Sequence, residues 1–346
     1  MSVSARVESL PDRFGRVATD LRVSVTDKCN LRCTYCMPVE GMVWLPREEL
    51  LTDDELIRLI GIGVKRLGIT KVRFTGGEPL VRPTLESLVA ATVAMRTPDG
   101  VAPATALTTN GIGLDRRAAG LAAAGLGRVN ISLDSIDPGR FAAVARRDRL
   151  DDVLAGIDAA LDAGLSPVKI NAVPQRSYRD DAPELLSFCL DRDLELRFIE
   201  YMPIGAPGWS ADAVISADDM FDALRSAGYT LAEDPGPRGS APAQRWTVTA
   251  PDGRTGRMGI IASVTRPFCG DCSRTRLTAD GQIRNCLFST RETDLRSAIR
   301  SGADDDELIK LWQGEMWRKA AAHGSDGAHG SGGFGESSRR MSAIGG

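Results

Sequence analysis

The sequence predicts an α/β protein: about six strand–helix units on a parallel sheet, followed by a smaller α+β region. Three observations carry this. Strand-like and helix-like runs alternate from about Leu21 to Met202, an order that gives parallel strands joined by right-handed crossovers. The helical runs carry their own start and stop signals. The rhythm then breaks in a Gly/Pro-containing linker from Gly205 to Ser216. Six units fit a partial (β/α)6 barrel or an open doubly wound sheet, and the pattern is common to both. In either, ligands gather at the carboxyl ends of the strands.

The strand candidates, in order, are Leu21–Val25, Lys71–Phe74, Ala104–Thr109, Arg128–Leu133, Val168–Val173 and Glu195–Tyr201. Between the first two, Thr52-Asp53-Asp54-Glu55 reads as a capping box, in which Thr52 accepts from the Glu55 amide and Glu55 reaches back. It opens the amphipathic run Leu56–Leu67, closed by Gly68. Leu114–Ala124 ends at Gly125, and Leu150–Ala163 ends at Gly164. After the linker come a helix near Ala217–Ala227, a Pro/Gly-rich loop from Asp234 to Pro242, and a hairpin of Arg245–Thr249 and Arg257–Ile261 turned at Asp252-Gly253. Gly324 to Gly335 is low complexity and reads as mobile. The division expected is a core over 1–220 and a C-terminal region over 221–346.

Composition narrows the class. The 346 residues are 42% apolar, enough for a sizeable core, and carry a net charge of −3. That balance gives no electrostatic case for nucleic acid or an anionic membrane. Met1 to Arg16 is polar with no apolar h-region, and no apolar run approaches a bilayer span. A soluble cytoplasmic protein is expected. There, seven cysteines read as metal ligands rather than disulfides.

Six of those seven fall into two triplets. The first is Cys29-Asn30-Leu31-Arg32-Cys33-Thr34-Tyr35-Cys36, directly after a strand candidate. Three thiolates this close can hold three corners of a [4Fe–4S] cube, which normally takes four cysteines. The fourth iron can then bind something else, and an open metal position marks chemistry. Zinc would need a fourth ligand, and none lies within reach in sequence. The two histidines, His323 and His329, sit in the Gly-rich tail. A disulfide would strand one thiol. The second triplet, Cys269-Gly270-Asp271-Cys272 with Cys286, again offers three ligands. For zinc, Asp271 or a distant residue would have to complete the set. Cys189, in the apolar stretch Leu185 to Leu190, reads as a buried small hydrophobe.

Other features point to a bound anion. Arg274 and Arg276 alternate on an extended chain and so point the same way. They suit the fork geometry of phosphate oxygens, against the plainer reading of a solvated basic turn. Lys169 sits between Val168 and Ile170, and a lysine on an apolar strand is rarely buried without a partner. Gly76-Gly77 at a strand end lets the backbone approach a ligand of any kind closely, although taken alone the pair reads as a plain turn.

The C-x3-C-x2-C spacing with an aromatic before the last cysteine resembles the signature of the radical S-adenosylmethionine (SAM) enzymes, and Gly76-Gly77-Glu78-Pro79 resembles their second motif. Further stretches sharpen this to a resemblance to the GTP 3′,8-cyclases of molybdenum cofactor biosynthesis, over nearly the whole chain. They are Thr26-Asp27-Lys28, Arg73-Phe74-Thr75, Thr108-Thr109-Asn110-Gly111, Val129-Asn130-Ile131-Ser132-Leu133-Asp134-Ser135, Arg197-Phe198-Ile199-Glu200-Tyr201-Met202, the second triplet and the terminal Gly345-Gly346.

The resemblance implies a TIM-like partial barrel of the radical SAM type. It implies one [4Fe–4S] cluster on Cys29, Cys33 and Cys36, and a second on Cys269, Cys272 and Cys286 whose open iron binds the guanine of GTP. Tyr35, Gly77, Ser132 and Met202 would contact SAM. Arg22, Arg73, Thr108, Lys169, Arg274, Thr275 and Arg276 would contact GTP, and Gly345-Gly346 would reach back into the active site. The implied reaction begins with a 5′-deoxyadenosyl radical taking the ribose 3′ hydrogen of GTP. The implied partners are a flavodoxin- or ferredoxin-like electron donor and a hand-off to cyclic pyranopterin monophosphate synthase; a homodimer is left open. Two rival readings stand beside it: a radical SAM peptide maturase with an auxiliary cluster, and a zinc-stabilised structural or nucleic-acid-binding module.

Overall fold

The computed structural model describes residues 8–176, 181–204, 209–323 and 339–345. The low-complexity stretch, part of the linker and Gly346 lie outside them. All six expected strands form: β1 (Asp20–Ser24), β2 (Lys71–Thr75), β3 (Ala104–Thr109), β4 (Arg128–Ser132), β5 (Val168–Ala172) and β6 (Glu195–Ile199). They lie side by side in sequence order, all parallel. The crossovers carry α1 (Asp53–Lys65), α2 (Leu85–Ala94), α3 (Leu114–Ala123), α4 (Pro138–Ala145), α5 (Leu150–Asp162) and α6 (Ala182–Asp191). The Thr52–Glu55 capping box is present in full at the start of α1. Leu56, Leu59, Ile60 and Val64 bury one face of that helix, at the spacing an amphipathic helix requires.

The C-terminal region is not a separate layer. α7 (Ala217–Ser226) precedes β7 (Thr230–Glu233), β8 (Gln244–Thr249) and β9 (Thr255–Ile261). Residue 220 therefore falls inside a helix. β9 pairs parallel to β6 and carries the β8 hairpin with it. β10 (Arg274–Leu277) pairs parallel to β1 at the other edge, followed by β11 (Gln282–Arg284), β12 (Thr293–Asp294), α8 (Leu295–Arg300), α9 (Asp305–Trp317) and α10 (Met341–Ile344). The result is one sheet of twelve described strands, ordered β12-β11-β10-β1-β2-β3-β4-β5-β6-β9-β8-β7.

The strands obey a period of two. Leu21, Val23, Val72, Phe74, Leu107, Val129, Ile131, Ile170, Leu196 and Phe198 are buried on the face covered by helices. The alternate residues face inward. Arg22 on β1 and Arg197 on β6 line the same cavity and feel each other's charge. In a flat sheet, strands five places apart would stand about 24 Å apart. The sheet therefore curls into a partial barrel with an interior. Among the described residues no helix is long and apolar enough to cross a membrane.

Candidate active site

The barrel interior is a cavity of about 550 Å³ walled by cations and amides. Arg276, Arg22 and Arg73 are register partners on the adjacent strands β10, β1 and β2. Like charges placed directly opposite destabilise a sheet, so the row needs an outside reason. Arg197 joins it from β6. The Nε atoms of Arg22, Arg73 and Arg197 are buried without a hydrogen-bond partner, as are Asn130 Oδ1, Asn171 Oδ1, Ser263 Oγ and Asp20 Oδ1, all on the cavity wall. Burial holds the Arg73 and Arg276 guanidiniums well below their ordinary pKa and brings Arg197 down to about 10. Asp20 offsets part of the charge of Arg22 and Arg73, and Glu195 part of that of Arg197, but the cations outnumber these carboxylates, and buried cations in excess are costly to a folded protein. The interior is built to receive an anion with several polar groups.

The second triplet stands at the amino end of β10. Cys269 and Cys272 immediately precede that strand, and the antiparallel turn into β11 brings Cys286 back beside them; all three line the cavity. Arg274 Nε and Nη2 lie 3.3 and 3.2 Å from Cys272 Sγ, and Lys319 Nζ lies 3.3 Å from it. Burial pushes the Cys272 thiol up, but Arg274 and Lys319 together outweigh it and leave the thiol at about 6.

The first triplet stands at the opposite end, in the loop after β1. β1 and β10 are parallel, so the two triplets are separated by at least a five-residue strand, about 13 Å. Burial, with Glu78 nearby, pushes Cys29 up to about 11, and burial pushes Cys36 up to about 12. Gly76 and Gly77 lie directly on this loop: a Cβ on either would collide with the carbonyl oxygens of Thr26, Asp27 or Lys28. The close approach read from these glycines is thus made to the cysteine loop's own backbone. Glu78, fully buried, accepts from Thr109 Oγ1 and the Asn110 amide, both at 2.6 Å, and from the Leu80 amide at 2.9 Å. It ties the end of β2 to the end of β3. Tyr35 donates to Asp134 at 2.9 Å, and burial raises Asp134 to about 6.

Residues 339–345 lie between the two regions. Arg339 forks onto Asp280 at 2.9 and 2.7 Å and onto Glu292 at 3.0 and 2.6 Å. Ile344 is fully buried, and Arg276 donates to the Gly345 carbonyl.

Several sequence expectations change. Thr275 faces away from the cavity: its hydroxyl accepts from Trp312 Nε1 of α9 at 3.1 Å. Alternation that points Arg274 and Arg276 inward points Thr275 outward. Lys169 has a partner after all, both Glu195 carboxylate oxygens at 2.5 Å, so an external anion is not required to explain it. That pair sits near the amino ends of β5 and β6 and is not among the residues that line the cavity; Asp20, Cys269 and Cys272, at the amino ends of β1 and β10, are, so the site is not confined to the carboxyl ends. Arg22, Arg73, Thr108, Arg274, Arg276 and Met202 do line the cavity. Ser132 ends β4 on the same face as Asn130. Asp271 pairs with Arg238 at 2.6 Å, whereas His323 Nδ1 lies 3.4 Å from Cys269 Sγ. Sequence reasoning missed Arg197, Asn171, Lys319 and His323. An arginine inside the apolar run Leu196–Ile199 was a readable signal; Lys319, just past a helix, gave none.

The thiols of each triplet lie near enough to feel one another's charge: Cys33 with Cys29 and Cys36, and Cys269 with Cys272 and Cys286. Three clustered thiolates of this kind can hold three irons of a [4Fe–4S] cube.

Residues 23–189 match the Radical SAM superfamily, and residues 194–325 match Molybdenum Cofactor Synthesis C. The chain is 58% identical over 340 residues to the GTP 3′,8-cyclase of Mycobacterium sp. (strain KMS), covering 97% of this chain and 93% of that protein. It is 54% identical to the GTP 3′,8-cyclase of Corynebacterium glutamicum (strain R), covering 97% and 89%. Among solved structures, native anSMEcpe with bound AdoMet superposes with a TM-score of 0.58 at 14% identity, covering 88% of this chain and 83% of that one. Streptococcus suis SuiB bound to S-adenosylmethionine gives 0.55 at 17%, covering 86% of this chain but 65% of that one. These two show a shared fold.

Proposed function

The chain belongs to the GTP 3′,8-cyclases, radical SAM enzymes of molybdenum cofactor biosynthesis, and from that premise we propose how its residues divide the work. The reaction converts GTP to (8S)-3′,8-cyclo-7,8-dihydroguanosine 5′-triphosphate and uses SAM with two [4Fe–4S] clusters. When bound, these cofactors supply the 5′-deoxyadenosyl radical that takes the ribose 3′ hydrogen and the electron that completes the product.

Arg22, Arg73, Arg197 and Arg276 hold the triphosphate. The observation that carries this is that Arg22, Arg73 and Arg197 each bury an Nε without a hydrogen-bond partner on the cavity lining, with Arg276 beside Arg22 in register. Arg274 divides its guanidinium between Cys272 and the nucleotide, and Lys169 joins by exchanging Glu195 for phosphate. Thr275 serves as the spacer that keeps Arg274 and Arg276 on one face. Thr108, Asn130, Asn171 and Ser263 hydrogen-bond the ribose and base, fixing the 3′ carbon over C8; orientation of this kind lowers a barrier without any group reacting. Cys29, Cys33 and Cys36 hold the first cluster, and Cys269, Cys272 and Cys286 the second. Tyr35, oriented by Asp134, lies with Gly77, Ser132 and Met202 on the SAM side. The functional seam near residue 220 is one of role, since both regions share a sheet. A flavodoxin- or ferredoxin-like donor, hand-off to cyclic pyranopterin monophosphate synthase and a cytoplasmic location complete the reading.

The test is anaerobic reconstitution with iron and sulfide, then GTP, SAM and dithionite. Mass spectrometry should find 5′-deoxyadenosine and an isomer of GTP in step with each other. A protein that loads only zinc, or that makes 5′-deoxyadenosine with no GTP isomer, refutes the reading.

A further inference from the structure

The second triplet is surrounded by cations in a way the first is not. Lys319 follows α9 and is 3% exposed. Its ammonium lies 3.3 Å from Cys272 Sγ, 3.3 Å from the Cys272 carbonyl oxygen and 3.0 Å from the Arg274 carbonyl oxygen. An ammonium has three donors, so none is left over for a phosphate. Arg274 places two more N–H groups on the same sulfur. His323 Nδ1 lies 3.4 Å from Cys269 Sγ, with its ring stacked on Phe288 at 4.6 Å. Around the first triplet the hydrogen-bond donors to sulfur are neutral: the Leu31 amide at 3.5 Å and Asn110 Nδ2 at 3.9 Å from Cys29, and the Ser342 amide toward Cys36. Arg32 and Arg340 act there only through space.

We propose that Lys319 is a tuning residue of the second cluster: its buried ammonium, with Arg274, raises that cluster's reduction potential above that of the cluster on Cys29, Cys33 and Cys36. The inference rests on the reading that both triplets hold clusters. Reduction adds negative charge to a cluster, and N–H···S bonds and nearby positive charge stabilise the reduced form. Burial strengthens the effect, because little water screens the ammonium from the sulfur. The two clusters are thereby poised apart, the harder one to reduce on the SAM side.

The experiment is an EPR-monitored redox titration of the reconstituted holoenzyme against dithionite, comparing wild type, Lys319→Met and Lys319→Arg. A Cys29→Ser/Cys33→Ser/Cys36→Ser background assigns the second signal. Lys319→Met should lower the second midpoint by about tenfold in the reduction equilibrium, about 59 mV for a one-electron couple. Iron content and the first midpoint should stay unchanged, and Lys319→Arg should retain most of the wild-type value. An unmoved second midpoint in fully loaded Lys319→Met overturns the proposal and leaves the two-cluster reading standing. Weaker GTP binding with an unmoved midpoint also overturns it and makes Lys319 a nucleotide contact. If wild type holds a single cluster, the underlying reading fails instead. Should Lys319→Met not load, Lys319→Gln, which keeps a polar side chain but removes the charge, should shift the midpoint the same way, and no shift there overturns the proposal.

Discussion

The guanidinium of Arg276 on β10 donates to the carbonyl oxygen of Gly345, 69 residues further along the chain. One arginine of the cavity row is therefore held by the tail. Gly345 has φ +79, and a Cβ there would meet Ser24 Oγ at 2.5 Å and Thr75 Cγ2 at 2.6 Å. Gly345→Ala should displace the tail and with it Arg276. A misplacement of about 1 Å can cost a reaction about 100-fold. We expect a kcat loss of that order, together with weaker GTP binding, because Arg276 is itself one of the arginines assigned to the triphosphate. Steady-state kinetics beside calorimetric GTP binding checks this.

Arg197 has a different signature. Its Nε is buried without a hydrogen-bond partner and burial outweighs the pull of the Glu195 charge, so Arg197→Met should leave thermal stability of the nucleotide-free protein unchanged or higher. GTP affinity should fall by about 10- to 100-fold, the loss of a charge-assisted contact of about 1.5–3 kcal/mol. Thermal denaturation with and without GTP reads both. A variant that melts lower without nucleotide and binds GTP normally would make Arg197 purely structural.

Two glycine substitutions should separate a close approach from open space. Gly77→Ala drives a methyl into the Asp27 and Lys28 carbonyls. The strain should cost about 2–3 kcal/mol and reduce iron held by the first triplet. Gly314→Ala, inside α9 with nothing near its Cβ position, should stabilise by about 0.5–1 kcal/mol. Chemical denaturation and iron analysis of both variants provide the comparison.

Glu78 links stability to pH. Burial raises its carboxyl to about 7, above the value of about 4.3 in an unfolded chain. Between those values the folded state binds the extra proton, so this contribution to stability falls as pH rises through the window and is greatest below it. Glu78→Gln removes the titration. Its amide also points a donor at the Asn110 amide or at the Leu80 and Thr109 donors, so the variant is less stable overall but flatter from about pH 4.5 to 7. Melting temperatures of the metal-free proteins across that range check it; parallel wild-type and variant curves would contradict it.

The strand–helix rhythm, the capping box and both cysteine triplets were legible because each depends on local chemistry. Side-chain alternation, backbone caps and ligand spacing are properties of a few consecutive residues. The inward row of arginines was half legible: Arg274 and Arg276 announce their shared face, but that Arg22 and Arg73 stand beside Arg276 follows from strand register alone. Pairing also decided that β10 extends the sheet beside β1, which sets the triplets at opposite ends of the barrel. The same contacts gave Lys169 its partner Glu195, turned Thr275 toward Trp312, and brought Lys319 and His323 onto the second triplet. Sequence determined which chemical groups this protein owns and how short segments fold. Tertiary structure decided which of them meet, because a buried charge is answered by whatever the curled sheet brings within hydrogen-bonding distance, however far along the chain it lies.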